Sequence, residues 1–100
     1  MINDNELIEL SHNKNEEAIN ILIDKYKPII NKIIKELLYK YEIKGIDYND
    51  LYQEGMLGLM NAIEHYNTSK NILFYTFACV CIKSSIISEL RRTFRNKNKY

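Results

Sequence analysis

The sequence predicts an all-α fold, a compact bundle of about four helices. Two observations carry this. Three glycines and one proline in 100 residues leave little turn chemistry, so the chain reads as a few long elements. Apolar residues recur at steps of three and four through most of the sequence, the period of a helix with one buried face. One hundred residues suit one domain with a single core.

The first helix is expected through Glu6-Leu7-Ile8-Glu9-Leu10, capped by Asp4 or Asn5 and closed by the polar turn Ser11-His12-Asn13-Lys14. Asn15 then caps a long second helix whose first turn holds Glu16 and Glu17, where the helix dipole favours acids. Its apolar stripe begins at Ala18, Ile19, Leu22 and Ile23 and runs on to Leu37, Leu38 and Tyr41. Pro28 removes one helical hydrogen bond, which predicts a kink or break near residues 26–28. The stripe keeps its phase across the proline, which favours a kink over two helices. Many stripe positions are β-branched isoleucines, so burial rather than propensity must hold the segment helical.

Gly45 suits a left-handed turn within Glu42-Ile-Lys-Gly-Ile46, and Asp47 is the next cap, with Asp50 placed to complete a box-like arrangement. The third helix is expected over residues 48–65, with Leu51, Met56 or Leu57, Gly58, Leu59, Ala62, Ile63 and Tyr66 along its apolar stripe. Gly55 and Gly58 each cost about 1 kcal/mol in a helix interior, which implies that another backbone passes close by. Asn67-Thr-Ser-Lys-Asn71 is turn chemistry. The last helix is expected over residues 75–94, making a domain of residues 1–94 followed by a basic, fraying tail at residues 95–100.

No apolar run reaches the roughly 18 residues that span a bilayer, and the acidic start is unlike a signal peptide, so a cytosolic protein is expected. Cys79 and Cys81 stand one residue apart, poor spacing for a disulfide, and with His12 and His65 they form no ligand set; both read as reduced core or interface residues, and no metal or cofactor is implied. No phosphate loop, catalytic triad or histidine–carboxylate cluster is present, and no enzymatic activity is expected. Glu36 and Lys40 have a favourable pairing distance on one helix. The net charge of +1 hides an asymmetry: six acids against Lys14 up to Asp24, and six bases against Glu89 from Lys83 onward. The basic end suits an anionic partner, or simply a solvated helix terminus.

Two surfaces stand out. On the third helix, Asp50, Gln53, Glu54, Met56, Met60 and Asn61 fall largely outside the core stripe. A carboxylate and amide rim around methionines suits the basic, apolar flank of a partner helix, and equally fits a solvated face. On the last helix, Phe77, Ala78, Ile82 and Ile86 read as core, while Tyr75, Lys83, Ile87, Arg91 and Arg92 lie elsewhere. An aromatic beside cations can stack on an unpaired base and neutralise phosphates; a core helix with a basic C-terminus fits as well.

Asp50-Leu51, Gln53-Glu54-Gly55, Gly58-Leu59-Met60 and Ala62 stand in the register D-L-x-Q-E-G-x-x-G-L-x-x-A, and Phe74, Thr76, Phe77, Ala78 and Ile82-Lys83 follow without a gap. With the upstream Glu17-Ala18, Leu22 and Tyr26-Lys27-Pro28-Ile29-Ile30, nearly the whole chain resembles the second domain of bacterial sigma factors. That resemblance implies a sigma-factor domain 2 type of helical fold. It implies docking of the third helix on the clamp coiled coil of the largest subunit of core RNA polymerase, through Asp50, Gln53, Glu54, Met56 and Met60. It also implies capture of the melted non-template strand of the −10 promoter element, with Phe77 supporting a flipped adenine, Lys83 near the duplex fork, and Ser84 and Ile87 at the upstream edge.

The chain departs from the housekeeping pattern. Val80 and Cys81 replace an aromatic pair that wedges the fork, Ile72 and Leu73 replace aromatic and basic loop residues, and Ser84 replaces glutamine. These departures imply an alternative sigma factor of the sporulation and stress group with its own −10 sequence; the resemblance also leaves room for an anti-sigma factor as a partner, which the sequence does not identify. The family's helix-turn-helix domain for the −35 element does not follow, as in an excised domain. The competing expectation is a helical interaction module, a truncated regulator that binds polymerase without melting promoters.

Overall fold

The computed structural model describes residues 3–97, which form four helices: α1 (Asp4–His12), α2 (Glu16–Lys40), α3 (Tyr48–His65) and α4 (Phe74–Lys97). The expected helix count and order are observed. The bounds differ at α1, which starts earlier because Asn3, not Asp4 or Asn5, caps it: Asn3 Oδ1 accepts the Glu6 N–H at 2.9 Å. Asp4 is engaged elsewhere, accepting from Lys25 Nζ at 2.6 Å and from the Tyr26 hydroxyl at 2.7 Å. Helix α4 begins at Phe74 and runs to Lys97, three residues past the expected end at Phe94; residues 98–100 of the expected tail lie outside the described residues.

Asn15 and Asp47 cap α2 and α3 as expected, accepting from Ala18 N at 3.1 Å and Asn49 N at 2.9 Å. Asp50 makes no return bond to the Asp47 backbone, so the cap is one-sided. Helix α2 is continuous across Pro28. Pro28 and Asp24 are both exposed, so water can satisfy the Asp24 carbonyl that the proline leaves without a donor. Glu36 and Lys40 form no ion pair; Lys40 Nζ instead lies 5.4 Å from the centre of the Tyr41 ring.

The core lies where α2, α3 and α4 meet: Tyr26, Ile30 and Ile34 of α2, Leu51 and Leu59 of α3, and Ile82 and Ile86 of α4 are almost completely buried. Each such aliphatic side chain contributes about 1.5–3 kcal/mol on leaving water, which overrides the weak helix propensity of isoleucine. Helix α1 closes one end through Leu7 and Ile8, and His12 Nε2 donates to the Ile63 carbonyl at 2.8 Å, satisfying one of the open acceptors at the end of α3.

The most extensive helix contact is between α3 and α4. Gly58 sets its distance. A Cβ there would stand 2.7 Å from the Cys81 carbonyl oxygen and 3.0 Å from the Ile82 Cα, so a second backbone does pass close. At Gly55 the obstruction is side chains, Ile30 Cγ2 at 2.7 Å and Ile86 Cδ1 at 3.3 Å, and not the expected backbone. Leu57, a candidate core position, is 59% exposed, while Met56 is half-buried against the core. The reason is angular: Gly55, Gly58, Leu59 and Ala62 already fill the buried arc, and Leu57 falls opposite it.

Candidate functional site

Two faces on adjoining helices carry the candidate residues. The outer face of α3 is built by the 3.6-residue period, which turns Asp50, Gln53 and Leu57 directly away from the core. Glu54 is half-buried on the flank nearer α4. Met56 is half-buried on the other flank, and Met60, 47% exposed, borders a hollow of about 440 Å³ with Ser11, His12, Ile19 and Ile63. The five expected polymerase-binding residues thus span one face and both its flanks. Its centre is a residue absent from that expectation, Leu57. An exposed leucine inside an i, i+3, i+4 set of polar residues was the available signal, obscured because Met56 and Leu57 are adjacent and either can extend the apolar stripe.

The outer face of α4 carries Phe77, Lys83, Ser84, Ile87 and Arg91 within about a third of the helix circumference. Val80, 62% exposed, sits in its middle. Tyr75 and Arg92 do not share this arc. Tyr75 leans toward Tyr26, ring centres 6.3 Å apart, and Arg92 pairs with Glu89 one turn back. Phe77 is half-buried, its ring tilted against Tyr66 at 5.7 Å, so the core holds part of the ring and part stays exposed. A neighbour from α2 joins the face: Lys40, with Glu36, Tyr41 and Ile33, lines a hollow shared with Lys83 and Ile87. Periodicity within one helix gives no sign of Lys40, because its proximity to Lys83 depends on how α2 and α4 pack.

An aromatic cluster supports the approach to α4. Phe74 packs edge-on against both Tyr26 and Tyr66, each at 5.3 Å. The Tyr26 hydroxyl is pushed above its ordinary range by burial first, then by its bond to Asp4. Burial also pushes the Cys81 thiol up, which favours its protonated form. Cys79 and Cys81 are both free and half-buried, and two positions apart on a helix they project to different sides. Among the described residues no helix is long and apolar enough to cross a membrane.

The fold is a four-helix domain with two exposed faces of unlike chemistry. Residues 22–96 match the model of the sigma-70 region 2 family, and the chain belongs to that family. It is similar to the RNA polymerase sigma-H factor of Bacillus licheniformis, with 31% identity over 97% of this chain and 42% of the relative. It is similar also to the RNA polymerase sigma-28 factor of Bacillus thuringiensis subsp. kurstaki, 34% identical over 84% of this chain and 34% of the relative. The RNA polymerase sigma factor SigA of Mycoplasma genitalium is 40% identical over 78% of this chain and 16% of the relative. The chain therefore spans less than half the length of these relatives.

Proposed function

We propose that this domain binds core RNA polymerase and opens the −10 element of promoters during transcription initiation. One observation carries the reading: two unpartnered faces of unlike chemistry stand on neighbouring helices. On α3, Leu57 and Met60 lie among Asp50, Gln53 and Glu54. Such a face suits a helix with apolar and basic residues, as in the clamp coiled coil of the largest polymerase subunit. On α4, Phe77 offers the exposed part of its ring beside Lys83, Ser84, Ile87 and Arg91. A base leaving a weak A·T-rich step can stack there while the cations hold its backbone. Tyr75, turned toward Tyr26, and Arg92, paired with Glu89, stand apart from this surface, and Lys40 lies next to it.

Calorimetric titration of the chain with the isolated clamp coiled coil tests the docking half. We expect binding that Glu54→Lys weakens about tenfold or more, because a cation replaces an acid at the rim, with helicity unchanged. Undiminished affinity would remove this face from the interface.

The exposed Val80 and half-buried Cys81 favour a second reading for the DNA half. Neither side chain can stack as a ring does, so opening would rely on Phe77 alone. This fits an alternative sigma factor with weak melting, or a regulator that occupies polymerase without melting.

A further inference from the structure

The eight residues joining α3 to α4 (66–73) lead directly to the candidate DNA face, and a turn on Asn67 orders their first half. Ile72 and Leu73 are exposed, Leu73 by 75%. Leu73 immediately precedes α4 and has no side-chain oxygen with which to cap it. Its carbonyl accepts the Phe77 N–H at 3.1 Å, so this exposed segment is tied to the first turn of α4, the turn that carries Phe77.

Two buried side chains hold it, Phe74 next to it in the chain and Tyr66 across the loop. Tyr66, at the end of α3, donates its hydroxyl hydrogen to the Ile72 carbonyl, while its ring packs on Phe74 and Phe77. A phenylalanine would supply the same ring contacts; only the hydroxyl reaches the loop. We propose that Tyr66 is a positioning residue for base capture, its hydroxyl fixing the Ile72–Leu73 segment so that α4 presents Phe77 with part of its ring exposed. This rests on the base-capture reading above.

The test uses the full chain bound to core RNA polymerase and a short A/T-rich single strand carrying 2-aminopurine in place of adenine, whose fluorescence rises when the base unstacks. Tyr66→Phe should weaken this response about fivefold, the worth of one hydrogen bond, with polymerase affinity unchanged. In a Phe77→Leu background the same change should have no further effect. A wild-type response that Tyr66→Phe leaves intact overturns this inference and leaves base capture standing. Absence of a wild-type response overturns both. Equal losses of polymerase binding and fluorescence make Tyr66 a structural residue only, and overturn the inference.

Discussion

Gly58 shows how one missing methyl group fixes the geometry of both faces. With the Cys81 carbonyl 2.7 Å from where a Cβ would stand, alanine forces α3 and α4 apart along their main contact. Alanine's better helix propensity returns about 1 kcal/mol, and overpacking costs about 1–3 kcal/mol. Gly58→Ala should therefore lose stability on balance, measured by urea unfolding, and more than Gly55→Ala, whose neighbours are movable side chains. Tyr26 makes a different residue-scale prediction. Its folded pKa lies above the ordinary 10.0, from burial and then the bond to Asp4. Below that pH both folded and unfolded chains keep the proton, and the stabilisation is complete. Above it the unfolded chain releases the proton first, so stability falls with rising pH, by up to about 1.4 kcal/mol per pH unit. Tyr26→Phe should be less steep than wild type in this alkaline range, in unfolding curves collected on both sides of pH 10.

At the scale of the elements, the C-terminal ends of α1 and α2 are closed in the same way, each without glycine at its left-handed position. After α1, Asn15 N bonds to the Leu10 carbonyl and Lys14 N to that of Ser11, with Lys14 at φ 64°. After α2, Ile43 N bonds to the Leu38 carbonyl and Glu42 N to that of Tyr39, with Glu42 at φ 52°. These are Schellman closures with a side chain where glycine is favoured. Left-handed backbone costs an ordinary residue about 1–2 kcal/mol, so Lys14→Gly and Glu42→Gly should each stabilise the domain by about 0.5–1 kcal/mol after glycine's greater unfolded entropy, read as a rise in urea midpoint. The same contrast explains what was legible in the sequence. Caps with side-chain oxygens, Asn15 and Asp47, and the left-handed Gly45 could be read locally. Lys14 and Glu42 could not, because nothing in their chemistry marks a left-handed position. The uninterrupted apolar phase indicated that α2 passes through Pro28, whereas Asn3 as the first cap depended on Asp4 being taken by Lys25 and Tyr26 from another helix.

Across the whole molecule, the α3–α4 contact buries one side of each helix and leaves their outer sides exposed, the two faces proposed above for polymerase and for DNA. The motif positions Gln53, Glu54, Phe77 and Lys83 were readable because they fall in a fixed register. Leu57 and Lys40 were not: each gains its place only when helices pack, Leu57 by facing away from a filled core and Lys40 by meeting Lys83 across α2 and α4. Leu57 therefore gives the sharpest test of whether the faces act separately. It is exposed and contributes little to the core, so Leu57→Asp should leave the unfolding midpoint nearly unchanged. A carboxylate at the centre of the docking face would be desolvated without a partner, and should weaken clamp binding by about 2 kcal/mol, roughly thirtyfold. Lys83→Glu should show the converse, retaining clamp affinity while losing single-strand binding and its salt dependence. If Leu57→Asp binds the coiled coil as wild type does, the α3 face is ordinary solvated surface and docking must lie elsewhere on the bundle.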